Sequence, residues 1–197
     1  MSKPKILTRE TTHAGYLTVE RLTIRLPNGE SALREIESHG DSVAVLPYDA
    51  ARRCALVIRQ FRAAVFAACG EDSVVEACAG MIEGEDAETS VRREAEEELG
   101  LRLRDIEFVT RIWPSPGVST ERAALFLAPY VPTDRVGPGG GLASEHEDIT
   151  VIETPLADLA VDAENGRIVD AKLLVLILSL RSRRPDLFAR AAPTALT

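Results

Sequence analysis

The stretch from residue 79 to residue 101 constrains what this chain can fold into more than any other. Its second half predicts one helix, because it lacks Pro and internal Gly, carries good helix formers and stops at Gly100, the residue type favoured just past a helix end. At about 100° per residue, Glu94 and Glu98 stand one turn apart on one face with Glu97 beside them, while Val91, Ala95 and Leu99 form an adjacent apolar stripe. Like charges at this spacing repel by about a few tenths of a kcal/mol in water. A hard divalent cation is one reason to gather them, since Mg²⁺ takes oxygen ligands and is held by a few carboxylates together with the phosphates of its substrate. A solvated acidic helix face is the other reading these residues allow.

Composition narrows the class. At 197 residues the chain is long enough for one ordinary domain with a real core. Its 45% hydrophobic and 27% charged residues are the balance of a soluble globular protein. A net charge of -8 argues against phosphate-backbone binding, because nucleic-acid binders carry a basic footprint, so no nucleic-acid partner is expected. An anionic substrate would have to be met through bound metal and a few local arginines. Cys54, Cys69 and Cys78 are odd in number and lack C-x-x-C spacing, which predicts reduced, largely buried thiols of a cytoplasmic protein. No apolar segment follows Lys3 and Lys5, so no signal peptide is expected. The most apolar run, residues 173–180, is far shorter than the roughly twenty residues a membrane span needs, and no membrane partner is expected.

Alternating apolar and polar residues predict strands over 16–26 and 32–38, joined by the Pro27-Asn28-Gly29 turn into an N-terminal β-hairpin subdomain over residues 1–40. Residues 41–197 form the second unit. Strands are predicted over 42–46, 55–61, 74–79, 106–113, 123–131 and 149–153, with helices over the acidic stretch, 155–163 and 171–183. Strands and helices alternate without a helix after every strand, which predicts mixed α/β with helices outside a mixed sheet. Residues 136–141 are Gly-rich but lack the Gly-Lys-Ser/Thr ending of a phosphate-binding loop, and they predict the start of a mobile loop running to Asp148. Its far end carries Glu145, His146, Glu147 and Asp148. A swinging loop of this kind can deliver a catalytic base, and a solvated acidic connector fits the same residues.

Taken as a unit, Gly80, a short loop with Glu85 and Asp86, and Arg93-Glu94-Ala95-Glu96-Glu97-Glu98-Leu99-Gly100-Leu101 resemble the signature of the Nudix hydrolases, a loop-helix-loop that binds metal and a diphosphate. Gly80 to Arg93 spans thirteen positions, one fewer than the usual form, a shortening the resemblance allows in the branch that cleaves GDP-mannose. It leaves the roles of Glu85 and Asp86 open. The resemblance implies an α/β/α sandwich with a mixed sheet. It also implies a metal site made by the Ala79 carbonyl, Glu94, Glu98 and Glu147, with Mg²⁺ as cofactor and Mn²⁺ a possible substitute. Glu97 would bind or orient a second metal, and Glu145 or Glu147 would be the general base. Arg93 pairs with acids of the loop and fixes its geometry, and Gly80, lacking a Cβ, lets backbone and metal come close.

Ser115-Pro116-Gly117 reads by itself as a turn. Its Pro lies fifteen positions past Leu101, which in the same superfamily marks enzymes acting on ADP-ribose and related nucleoside diphosphate sugars, with Glu121 at the site. Arg59-Gln60-Phe61-Arg62, Glu76-Ala77-Cys78-Ala79-Gly80 and the three glycines before Glu145 are similar to the GDP-mannose branch. In that branch the N-terminal hairpin is exchanged between two subunits, so a homodimer is implied. Tyr16, Arg34, Glu35 and Arg62 fall at its nucleotide or sugar positions, although as bare residues they also read as surface charge or hairpin core. The expectation is Mg²⁺-dependent hydrolysis of a nucleoside diphosphate sugar, GDP-mannose giving GMP and mannose 1-phosphate. ADP-ribose giving AMP and ribose 5-phosphate is the alternative, and a non-catalytic nucleotide-sugar sensor is the rival from another class.

Overall fold

The computed structural model describes residues 2–142 and 147–189. The chain opens with an antiparallel meander of Lys5–Ala14 (β1), Thr18–Arg25 (β2) and Ser31–Ser38 (β3), paired in that order. β1 is a strand the hairpin reading lacked. Every one of its residues is exposed, so there is no buried face to leave an alternating pattern in its sequence. Leu22 is the meander's one buried hydrophobic residue among the described residues. Register places it on one face with Ile6, Ile24 and Ile36.

Ser42–Asp49 (β4) and Cys54–Gln60 (β5) start the second sheet as a hairpin that pairs directly only at Tyr48↔Ala55 and Asp49↔Cys54. Past those pairs they part. After Ala63–Cys69 (α1), a short Ala-rich helix ending at left-handed Gly70 that the sequence reading missed, Val74–Glu76 (β6) and Cys78–Met81 (β7) fill the fork. β6 pairs with β5 and β7 with β4. The sequence reads these two as one strand. The break falls at Ala77, whose N–H donates to Asp170 Oδ2 at 3.1 Å.

Ala87–Leu99 (α2) follows, with Asp86 as its N-cap accepting from the Thr89 N–H at 2.9 Å. Glu107–Ile112 (β8), Ala123–Pro129 (β9) and Thr150–Pro155 (β10) complete the order β10-β5-β4-β9-β8. β4 and β9 run parallel and the other pairs antiparallel, so the sheet is mixed. Leu156–Glu164 (α3) and Ala171–Arg183 (α4) close the fold. Cys54 and Cys78 are buried, Cys69 is exposed, and all three are free. No described helix is long and apolar enough to cross a membrane.

Alternate residues of the central strands face opposite layers. Ala44, Leu46, Tyr48 and Val57 pack with Leu156, Leu159, Leu173, Leu176 and Leu180 of α3 and α4. Val43, Val45, Leu56 and Ile58 pack with Val91, Ala95 and Leu99 of α2. Helices therefore cover both faces, which makes the α/β/α sandwich and explains why β4 reads as a continuous apolar run. Each Leu so buried contributes about 1.5–3 kcal/mol relative to exposure.

The Gly-rich run is fastened to the end of α2. Val136 N–H donates to the Gly100 carbonyl at 2.8 Å, Gly140 N–H to that of Glu98 at 2.8 Å, and Gly141 N–H to that of Glu97 at 3.2 Å. A helix leaves its last carbonyls without partners, and this segment supplies them. Gly100 sits at φ 61°, and a Cβ there would lie 2.2 Å from the Gly137 carbonyl oxygen. Gly84, at φ 92°, has nothing within 4 Å of the same atom. Gly84→Ala should therefore cost only the backbone term of about 1–2 kcal/mol. Gly100→Ala should cost clearly more, as read by urea denaturation, and equal losses would mean that the run is not packed closely on the helix.

Candidate active site

β7 carries Ala79 and Gly80 across the acidic side of α2. Glu98 is 1% exposed; its Oε2 accepts from the Ala79 N–H at 3.0 Å, and its Oε1 has no partner among the described residues. Burial pushes this carboxyl up to about 8. One turn earlier Glu94 lies over Gly80, where a Cβ would stand 1.9 Å from the Glu94 Cδ. Only glycine admits that approach. Burial pushes Glu94 up to about 7, against the attraction of Arg93, whose Nη1 is 2.9 Å from Glu94 Oε1.

Arg93 ties the loop to the helix. It donates through Nη1 to Glu97 Oε2 at 2.9 Å, through Nε and Nη2 to Glu85 Oε1 at 3.2 Å, and through Nη2 to the Met81 carbonyl at 3.1 Å. Glu85 also accepts from Ser90 Oγ at 2.9 Å. The two loop acids thus divide their work, with Asp86 capping the helix and Glu85 anchoring Arg93.

A cleft of about 330 Å³ opens above these acids and brings together Tyr16, Arg62, Ala79, Gly80, Arg93, Glu94, Glu121 and Glu147 of the expected residues. Glu147 Oε2 accepts from the Leu142 N–H at 3.0 Å. Arg62 is held by Glu76 through two bonds of 2.8 Å, and Glu121 Oε1 accepts from Ser42 Oγ at 2.6 Å. Glu97 does not line the cleft and is turned to Arg93. Glu98, buried and bonded to the Ala79 N–H, is not part of the lining, and Arg34 and Glu35 do not line it either. As neighbours on β3 they point to opposite faces of the meander, where Glu35 pairs with Arg21 at 3.2 Å and Arg34 donates to the Leu33 carbonyl. Glu145 lies outside the described residues.

The cleft also holds His39, Ser42, Met81, Glu83 and Lys172, which sequence reasoning missed. Lys172 stands at the start of α4, its Nζ 2.8 Å from Asp170 Oδ1. Its one sequence signal is its place just after the helix-capping Asp170. Glu94 and Glu98 are both buried and one Glu98 oxygen lacks a partner, oxygen donors of the type a hard divalent cation takes, although among the described residues no three His, Cys, Asp or Glu side chains are gathered closely enough to hold a metal ion as they stand.

The NUDIX domain family matches residues 38–175. The GDP-mannose pyrophosphatase of Cronobacter sakazakii (strain ATCC BAA-894) is 34% identical over 186 residues, which are 92% of this chain and 94% of that protein. The GDP-mannose pyrophosphatase of Salmonella arizonae is 31% identical over 167 residues, 82% of this chain and 86% of the relative. A crystal structure of an ADP compounds hydrolase superposes with a TM-score of 0.76 at 20% identity, covering 94% of this chain and 96% of that one, a likeness of fold.

Because Glu94 and Glu98 take up protons near pH 7 and 8 when folded but only near 4.5 in an ordinary setting, the folded chain binds more protons than the unfolded chain between these limits. Their contribution to stability is complete below about 4.5 and is lost as pH rises through 7 to 8. The melting temperature of the metal-free protein should fall over that window. Glu98→Gln should flatten the fall, and added Mg²⁺ should reverse it at pH 8. A melting temperature that rises steadily from pH 5 to 8 in chelator would contradict the burial of these acids.

Proposed function

The chain belongs to the Nudix hydrolase family, and we propose that within it the chain is a Mg²⁺-dependent pyrophosphatase of nucleoside diphosphate sugars that converts GDP-mannose to GMP and mannose 1-phosphate. The observation that carries this reading is one cleft that joins the acids Glu94, Glu121 and Glu147 to the cations Arg62, Arg93 and Lys172 and to an aromatic ring, Tyr16, while Glu98, buried off the lining with one unpartnered oxygen, is bonded to the Ala79 N–H. The relatives named GDP-mannose pyrophosphatase support the choice of substrate.

Hydrolysis of a diphosphate needs charge neutralised on its oxygens, an oriented water and a base. Glu94, Glu98, Glu147 and the Ala79 carbonyl would hold the ion, and Glu97 would bind or orient a second. A bound divalent ion supplies the charge neutralisation and makes water more acidic. Arg93 keeps the loop and Glu97 in place, and Gly80 keeps room for Glu94. Arg62 and Lys172 meet phosphate charge from the opposite wall. Tyr16, 88% exposed at the rim, offers a flat face to a nucleobase. Glu121 faces the sugar nucleotide, and Glu145 or Glu147 takes the proton from water.

A second copy of the chain completes the site. The meander exposes Ile6 and Leu33, and in a homodimer it would bring Arg34 and Glu35 to the neighbouring cleft.

The test is mononucleotide release, by chromatography, from GDP-mannose, ADP-ribose, UDP-glucose and diadenosine polyphosphates with Mg²⁺ and with chelator. GMP from GDP-mannose should exceed AMP from ADP-ribose and vanish in chelator. Glu98→Gln should keep the fold and lose about 100-fold or more in turnover, the scale of a lost charge-stabilising group of several kcal/mol. The opposite ranking would move the substrate to ADP-ribose, and tight binding without turnover would make the chain a sensor.

A further inference from the structure

The last residues of β3 reach the cleft from outside the main sheet. The Glu37 N–H donates to the Val118 carbonyl at 2.8 Å and the Thr120 N–H to the Glu37 carbonyl at 3.0 Å, which fasten the meander to the turn that leads to Glu121. His39 follows directly. Its Nδ1 lies 2.9 Å from Glu37 Oε2, its Nε2 faces Glu121 Oε2 at 3.6 Å, and the Tyr16 ring stacks on it at 6.4 Å with 18° between planes. Ser119 Oγ accepts from the Glu121 N–H at 3.0 Å, and Ser42 holds the other Glu121 oxygen. Although burial opposes it, hydrogen bonding from Ser119 and His39 holds the Glu37 carboxyl below the usual range.

We infer that His39 is a positioning residue, a wall fixed by Glu37 that sets the pose of the Glu121 carboxylate and of the Tyr16 ring and thereby couples the two ends of the bound nucleotide sugar. The inference rests on the function proposed above. At 3.6 Å the contact with Glu121 is too long for a hydrogen bond, so it acts by confining the carboxylate. With Oε1 tied to Ser42 and Oε2 against the imidazole, Glu121 has one orientation before substrate arrives, and such preorganisation removes an ordering cost from binding. A clamp needed only for folding would not have to face the cleft, because the backbone bonds of Glu37 already join β3 to the turn. Yet Tyr16, His39 and Glu121 all line the cleft, with Glu37 bearing on the ring.

The experiment is a double-mutant cycle on the full chain, His39→Ala, Glu121→Gln and both together, with kcat and KM measured on whichever panel member the parent cleaves in Mg²⁺. His39→Ala should raise KM about tenfold, the scale of one such contact, and leave kcat within about twofold. The double variant should lose less than the product of the two single losses, because the part of His39 that acts through Glu121 is already gone in Glu121→Gln and only its part through Tyr16 remains. His39→Gln, which keeps a donor for Glu37 and a planar end group, should recover most of the loss at an unchanged melting temperature. Additive losses would overturn the inference, as would equal losses in His39→Ala and His39→Gln in step with melting temperature. A parent that cleaves normally while the cycle is additive sinks this inference alone. A parent that neither binds nor cleaves any member sinks the proposed function and the inference with it.

Discussion

Everything at the cleft depends on keeping the Glu98 carboxylate out of water. α2 buries Val91, Ala95 and Leu99 completely against the sheet, and Glu94 and Glu98 each stand one residue before a member of that stripe. Burying the stripe drags the acids in with it. A buried carboxylate costs several kcal/mol unless it is paired or protonated, and the chain gives Glu98 the Cys78 thiol and one backbone N–H and leaves Oε1 with nothing. Apolar packing on one side of the helix thus creates, on the next, a demand for positive charge that the chain itself only half meets through Arg93. In the proposed function a divalent ion would answer that demand, and the packing that holds the helix in place would also shape the metal site.

The fork between β4 and β5 puts the remaining groups around those acids. Where β6 ends and β7 begins, Ala77 gives its N–H to Asp170, and the same carboxylate group accepts from the Lys172 and Leu173 N–H groups at the start of α4. One side chain therefore caps α4, stabilises the strand break and aims Lys172 into the cleft. The acids on α2 and the cation on α4 sit on opposite layers of the sandwich, and both are set by the point where the central strand changes partners. The Gly-rich run performs the matching task at the far end of α2, satisfying its last carbonyls and delivering Leu142, whose N–H holds Glu147.

Much of this was legible in the sequence because it follows from helical spacing. Glu94 and Glu98 on one face, the stripe beside them and Gly100 as the stop need only 3.6 residues per turn and glycine's place past a helix end, whereas the Glu94 side chain over Gly80 is a contact that only the fold sets. The mixed α/β class was legible from the order of strands and helices, and the sandwich followed from the resemblance to the Nudix hydrolases. Other features left no pattern to read. β1 has no buried face, and α1 buries none of its residues, so neither shows a periodicity, although Gly70 marked the end of α1. The Gly-rich run read as mobile because its partners are carbonyls of α2, and backbone groups carry no sequence signature. His39 and Lys172 were missed for the same reason, since each gains its role from a carboxylate neighbour whose approach only the fold determines. The division between Glu85 and Asp86 also needed coordinates, because both acids precede the helix and only their geometry tells a cap from an anchor.

The N-terminal meander carries the last constraint. A three-stranded sheet with one buried hydrophobic residue falls short of independent stability, and here two backbone bonds at Glu37 and the contact of His39 with Glu121 join it to the sandwich. Its apolar face, with Ile6, Ile24 and Ile36, belongs to neither of the two packed cores of the sandwich. Arg34 and Glu35 add a geometric condition, since successive residues of a strand point to opposite faces and cannot both enter a cleft approached from one side. If both are to touch nucleotide or sugar, the strand must meet its cleft edge-on, with one side chain passing above the ligand and one below. Any assembly that uses this pair must therefore present the edge of β3 to the neighbouring site, and an assembly that merely buries the apolar face would leave Glu35 with Arg21 on the outside.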